Sequence, residues 1–281
     1  MVTSLRSIGR PGLGAMALSA VDIALWDLKA RVLGVPLHRL LGTHRTSVPV
    51  YGSGGFTTYD REQLGEQLRG WIATGARAVK IKIAESWGTK AERDLRRVEQ
   101  ALEVIGPDVQ LFVDANGGYT VGQAVRLGHT LDALGVSWFE EPVSSDDLPG
   151  LRTVRRATRL DVAAGEYLDS LDYARRMCEA DAVDCLQVDV TRCGGITELL
   201  RVASVAAAHH LDVSAHCAPY LSAAAFAALP NLRHLEYFHD HARLEKLLFT
   251  GTPPMTDGTL TLGDAPGHGM TLCEERAASL G

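Results

Sequence analysis

The stretch Ala78-Val79-Lys80-Ile81-Lys82-Ile83 alternates apolar and charged residues with period two, the signature of a β-strand. Side chains two apart on a strand share a face, so Lys80 and Lys82 point one way while Val79, Ile81 and Ile83 point the other. Alone, this describes a half-exposed strand with a wet lysine face. The downstream chain argues otherwise. At intervals of roughly 20–32 residues, further apolar runs end in one charged or titratable residue: Asp114, Glu140, Glu166, Asp189, His216 and Glu236. That is the period of a repeated strand–helix unit with a single chemical group at each strand end.

The spacing predicts strands at Val48–Tyr51, Ala78–Ile83, Gln110–Asp114, Ser137–Glu140, Val162–Ala164, Cys185–Val188, Val213–Ala215 and His234–Glu236. Between them run helical patterns of about 10–15 residues, which implies parallel βαβ units, and eight strands fit a closed barrel. An open doubly wound sheet is the alternative, but its nucleotide fingerprint is absent. The glycine-rich Gly52-Ser53-Gly54-Gly55 reads as a loop; it lacks both the GxGxxG order and a P-loop lysine. Ahead of the repeat, Met1–Gly14 reads as a loose leader. Ala15–Leu33 then places Leu18, Val21, Leu25, Leu28 and Val32 on one helical face, and Gly34 and Pro36 end that helix. A short helix, Leu37–Leu41, comes next.

With 281 residues the chain can hold one α/β barrel. A net charge of −6 and the lack of a basic tract argue against nucleic-acid binding. Five cysteines without CxxC spacing argue against a disulfide framework or zinc site, and for a reducing cytoplasm. No apolar run reaches the roughly 18–20 residues of a membrane span. His239-Asp-His241 reads as a surface turn beyond the last strand, and Trp26 as core.

In a barrel the C-terminal strand ends share one mouth. Asp114, Glu140 and Glu166 would converge there from three consecutive strands, and three carboxylates repel unless a cation sits among them. All-oxygen ligands suit Mg²⁺ better than zinc. Lys80 and Lys82 would face this group from one side, Asp189 and His216 from the other. A lysine is a base only when neutral, and a nearby metal ion and a second ammonium both lower its pKa, which suits Lys82 beside Lys80. Aspartate beside imidazole orients the ring, making His216 an acid or base. Glu236 is expected to give a hydrogen bond to a substrate oxygen as a protonated carboxyl. Glu141 is a candidate support for Glu140.

These residues resemble the enolase superfamily, in its mandelate racemase/muconate lactonizing enzyme family and the mandelate racemase-like branch. The matching pieces are the helix Ala17–Arg31, Lys80-Ile-Lys82, Val113-Asp-Ala-Asn116, Trp138-Phe-Glu-Glu-Pro142, Ala164-Gly-Glu166, Gln187-Val-Asp189, Ser214-Ala-His216 and Leu235-Glu236. They cover nearly the whole chain in order. The resemblance implies a TIM-like (β/α)₇β barrel (46–240) with a remnant of an α+β capping domain (1–45) and a C-terminal segment (241–281) that packs back on the capping elements. It implies Mg²⁺ on Asp114, Glu140 and Glu166, Lys82 as a base with Lys80 beside it, the Asp189–His216 dyad opposite, and Glu236 donating to the substrate carboxylate. In the muconate-lactonising branch the sixth-strand base is a lysine; here that region reads Asp189-Val-Thr-Arg192.

The implied chemistry is removal of the proton α to a carboxylate through an enediolate, most readily dehydration of an acid sugar to a 2-keto-3-deoxy acid. Racemisation or epimerisation of a 2-hydroxy acid shares the intermediate. A third reading is a barrel impaired by the shortness of its capping segment, since only about 15 residues precede the Ala17–Arg31 helix. The expected partner is a small hydroxy-carboxylate, with no nucleic acid and no membrane. The Leu18/Val21/Leu25 face is expected to lie uncovered and to promote homo-oligomers.

Overall fold

In the computed structural model, which describes residues 1–279, eight parallel strands close on themselves. They are β1 (Ser47–Gly54), β2 (Ala78–Lys82), β3 (Gln110–Asp114), β4 (Trp138–Glu140), β5 (Asp161–Ala164), β6 (Cys185–Val188), β7 (Asp212–Ala215) and β8 (Leu232–Phe238). Each pairs with its successor, and β1 also pairs with β8, Tyr51 standing opposite Glu236, so the sheet has no free edge within the barrel. The predicted strands all form. The first is longer than predicted, because Gly52-Ser53-Gly54 continues β1 instead of forming a loop. Gly52 is needed there: a Cβ at this position would lie 2.3 Å from the Trp71 ring.

The helices are α1 (Leu13–Val32), α2 (Leu37–Leu41), α3 (Arg61–Ala73), a short turn α4 (Glu85–Gly88), α5 (Ala91–Ile105), α6 (Val121–Leu134), α7 (Leu148–Ala157), α8 (Leu171–Glu179), α9 (Ile196–Ala208), α10 (Pro219–Phe226) and α11 (His239–Leu248). Starts are chemically marked. Asp60 and Thr120 each accept the N–H three residues on, while Gln63 and Gln123 reach back to close a capping box. Val79, Ile81, Val113, Phe139, Leu186 and Val213 point outward into the shell against these helices, as strand alternation requires.

Beyond β8, Met255–Thr256 and Thr259–Thr261 form a hairpin whose second arm pairs antiparallel with β1. Farther on, His268 N–H donates to Asp27 at 2.8 Å, and Arg31 donates to the Met270 carbonyl at 2.6 Å, tying this segment to α1. The amino-terminal stretch is more ordered than a loose leader: Val2–Leu5 is a 3₁₀ turn, and Arg10 pairs with Glu198 at 2.7 Å. Leu18 is buried, whereas Val21, Leu25, Leu28 and Val32 are exposed; the face expected to lie uncovered does so except at Leu18. Trp26 is half-buried and donates to Thr197 at 2.9 Å. No helix among the described residues is long and apolar enough to cross a membrane.

Candidate active site

Inside the barrel the period-two rule stacks side chains in layers. The lower layer is Tyr51, Ala78, Phe112, Trp138, Ala163 and Cys185, a buried cluster separate from the outer shell. Two residues further along the same strands come Ser53, Lys80, Asp114, Glu140 and Gln187, all fully buried. Lys82, Asp189 and His216 stand one step higher, at the mouth. Register aligns Lys82 with Asp114, and Asp114 with Glu140.

Asp114, Glu140 and Glu166 do converge: one carboxylate oxygen from each lies within 4.8 Å of the others. Lys80 donates to Glu140 at 2.5 Å and pairs with Glu236 at 2.8 Å and Asp114 at 3.5 Å, so one ammonium ties four strands together. Lys82 donates to Asp114. Asp114 also accepts the Asn116 N–H at 2.9 Å, and Glu140 the Trp138 indole N–H at 3.1 Å. Across the mouth, His216 Nδ1 meets Asp189 at 2.8 Å while its Nε2 lies 3.3 Å from Glu166 and 3.7 Å from Glu236. Thr191 donates twice to the other Asp189 oxygen, at 2.7 and 2.6 Å, fixing the carboxylate that fixes the ring. All the residues singled out from the sequence therefore meet in one cup.

Two electrostatic expectations meet opposing charges in the cup. Burial draws the Lys82 ammonium down and Lys80 adds to that, but Asp114, Glu140 and Glu236 together outweigh both, so the Lys82 pKa lies above the ordinary lysine value. The surroundings of Glu236 favour its charged form. Burial favours its neutral form, yet Lys80 and His216 outweigh that and hold it well below the carboxylate range. Both its oxygens accept, from Ser53 at 2.6 Å and the Cys217 N–H at 2.9 Å. His216 is held well above the ordinary imidazole value: burial opposes this, and Glu166, Cys217, Glu236 and Asp189 overcome it.

The donor set fits a hard divalent cation. It is all oxygen and wholly buried, and Glu166 Oε2 has no hydrogen-bond partner among the described residues. Burial and the neighbouring Asp114 push Glu140 up to about 8, while burial with Glu166 pushes Glu141 up to about 9, as expected where carboxylates outnumber the cations that face them.

Several residues of the cup escaped sequence reasoning. Arg192 bridges Glu166 at 3.2 Å and Asp189 at 3.4 Å. Its place three residues after Asp189 was the available signal. Ser53 was hidden by the loop-like composition of its segment. His241 belongs near the mouth as well: it is no surface turn, and its Nδ1 accepts the Ala218 N–H at 3.0 Å. Trp87 stands 83% exposed at the rim, on a turn that is left-handed at Ala84, Ser86 and Trp87. Buried Asp94 holds that turn, accepting from Glu85 N–H at 3.2 Å and from Tyr119 at 2.7 Å.

Comparison with known proteins accords with this arrangement. The Enolase C-terminal domain-like family matches residues 63–276, and the Mandelate racemase / muconate lactonizing enzyme, N-terminal domain family matches residues 4–42. The chain belongs to the mandelate racemase/muconate lactonizing enzyme family. Among solved members, a mandelate racemase/muconate lactonizing enzyme-like protein from Rubrobacter xylanophilus is 50% identical, with a TM-score of 0.93 over 99% of this chain and 77% of that one. The L-talarate/galactarate dehydratase of Salmonella typhimurium is 32% identical over 96% of this chain and 66% of its own. Its structure, liganded with Mg and L-lyxarohydroxamate, superposes with a TM-score of 0.90. A D-galactarolactone cycloisomerase of Agrobacterium fabrum is also 32% identical, over 97% of this chain and 75% of its own. The chain thus spans roughly two-thirds to three-quarters of these family members' length.

Proposed function

We propose that the chain removes the α-proton of a hydroxy-carboxylate and dehydrates an acid sugar to a 2-keto-3-deoxy acid. The observation that carries this reading is the opposition, across one buried carboxylate group, of the Lys80–Lys82 pair and the Asp189–His216 dyad. Asp114, Glu140 and Glu166 are assigned to hold Mg²⁺, as their chemistry and the Mg in the Salmonella structure support. When bound, the ion supplies positive charge for the carboxylate of the substrate as negative charge builds there.

The side chains divide the remaining work. Lys80, fixed by Glu140 and Glu236, presents an ammonium that offsets the developing charge. Lys82 takes the Cα proton on its Nζ; it does so only when neutral, and Asp114 is the group that holds it charged, so whatever neutralises Asp114 releases the base. His216 lies opposite with a proton available. It gives that proton to the β-hydroxyl as the Cβ–O bond breaks; water leaves, and the enol product tautomerises to the keto acid. Asp189 holds the ring by its Nδ1 throughout. Glu236 keeps Lys80 in place instead of donating to the substrate.

The test is incubation with a panel of aldonates and aldarates in Mg²⁺ and D₂O, with keto acid and deuterium at Cα both followed. Keto acid is the expected product. Deuterium entry without keto acid assigns the isomerase reading, which the Agrobacterium cycloisomerase favours. Neither product from any acid removes the proposal.

A further inference from the structure

Beside the mouth lies a cavity of about 510 Å³, within the range of small-molecule sites. Its floor carries Glu141 and Asn116, and its walls Trp87, Tyr167, Arg192 and Asp169. His216 contacts Glu166, and Arg192 bridges Glu166 to Asp189. The cavity thus adjoins the mouth at Arg192, which leaves a route for the remaining carbons of a substrate whose β-carbon reaches His216.

The charge there is one-sided. Asp169 is only 9% exposed, lines the cavity, and has no hydrogen-bond or ionic partner for its carboxylate among the described residues. Asp146, exposed on the same rim, also has no ionic partner among them. Arg192, the cavity's cation, is already engaged by two carboxylates. The neighbouring cavity, of about 490 Å³, includes Lys82, paired to Asp114, and no other lysine or arginine. A second carboxylate at the far end of a substrate would meet repulsion on one side and no free cation on either. A hydroxyl would meet the unpartnered Asp169 carboxylate, whose hydrogen bonds are charge-assisted. The exposed face of the Trp87 indole suits the C–H edge of a carbon chain.

We infer that this site selects acid sugars with a single carboxylate and a hydroxyl-terminated tail, with Asp169 accepting from a tail hydroxyl. The inference rests on the α-proton reading above, and it sets this chain apart from its Salmonella relative, whose name carries galactarate, a diacid.

The experiment pairs each aldonate with the aldarate of the same configuration, in the gluco, galacto and manno series, using the chain in Mg²⁺. Keto-acid formation, deuterium entry at Cα and binding by calorimetry are all measured. In the best series the aldonate is expected to lead by at least about tenfold in kcat/KM and in Kd. Asp169→Asn is expected to raise the aldonate KM by about tenfold while kcat stays within about threefold, because a charge-assisted bond to the tail is lost and not one to the reacting atoms. Asp146→Lys, at an exposed position that folding tolerates, is expected to shift preference several-fold toward the aldarate, roughly one surface charge contact. Aldarates handled as well as aldonates, or a preference that neither variant moves, overturns the inference and leaves the α-proton reading standing. No keto acid, no exchange and no binding with any acid removes both.

Discussion

The two ends of the barrel interior are built by the same strands under opposite rules. Below, Phe112 stacks on Trp138 at 5.3 Å, with Tyr51 edge-on at 5.2 Å and His234 against all three. These contacts bury apolar area, and each aromatic pair adds about 0.5–1.5 kcal/mol beyond it. Two residues up the same strands, Asp114, Glu140 and Glu236 crowd around Lys80. Buried charges of this kind are an expensive way to stabilise a fold. The difference teaches that the lower layer holds the cup open so that the upper one can stay charged.

The contrast can be broken at four points. The largest effect is expected at Lys82→Met, with turnover falling about 10⁴-fold, the upper end for a general base, while thermal unfolding shows a folded chain. A loss of under tenfold would take Lys82 out of its role. Next comes Phe112→Ala, expected to cost about 3–5 kcal/mol in denaturant unfolding; a cost near that of a surface change would mean the aromatic layer does not support the cup. Third, Mg²⁺ at about a hundred times its dissociation constant should stabilise the chain by about 2.7 kcal/mol. Asp114→Asn should abolish that gain, and an equal gain in this variant would move the ion elsewhere.

The smallest effect concerns His234. Burial first, then Arg233 and Lys80, pulls its imidazole from 6.5 down to about 3. A base depressed in the folded state stabilises fully above its unfolded value, about 6.5, and loses that contribution as pH falls toward about 3. Unfolding free energy should therefore drop by up to about 1.4 kcal/mol per pH unit in that window. His234→Gln should flatten the slope, and an unchanged slope would assign it to the mouth.

The sequence made the mouth easier to read than the layer beneath it. Lys80, Lys82, Asp114, Glu140, Glu166, Asp189, His216 and Glu236 stood out because charge at the end of an apolar run is rare and periodic. Tyr51, Phe112 and Trp138 looked like any core residue, since one-dimensional periodicity marks burial but not which side of a closed sheet is buried. Nor did spacing reveal that Glu236 accepts where donation was expected. Its partners are Lys80, 156 positions away, with Ser53 and the Cys217 N–H, none of them adjacent to it in the chain. Gly52-Ser53-Gly54 has the composition of a loop, and only the Trp71 ring lying over the strand gives the reason for glycine there.

The contacts of Glu236 also bear on timing. It binds Ser53 of the first barrel strand and Lys80 of the second, yet it belongs to the last barrel strand to leave the ribosome. A nascent chain can assemble β2 through β7 while residue 236 is still unmade, and during that interval Lys80 lacks one of its three carboxylates. The charged cup is thus completed only as the seam closes.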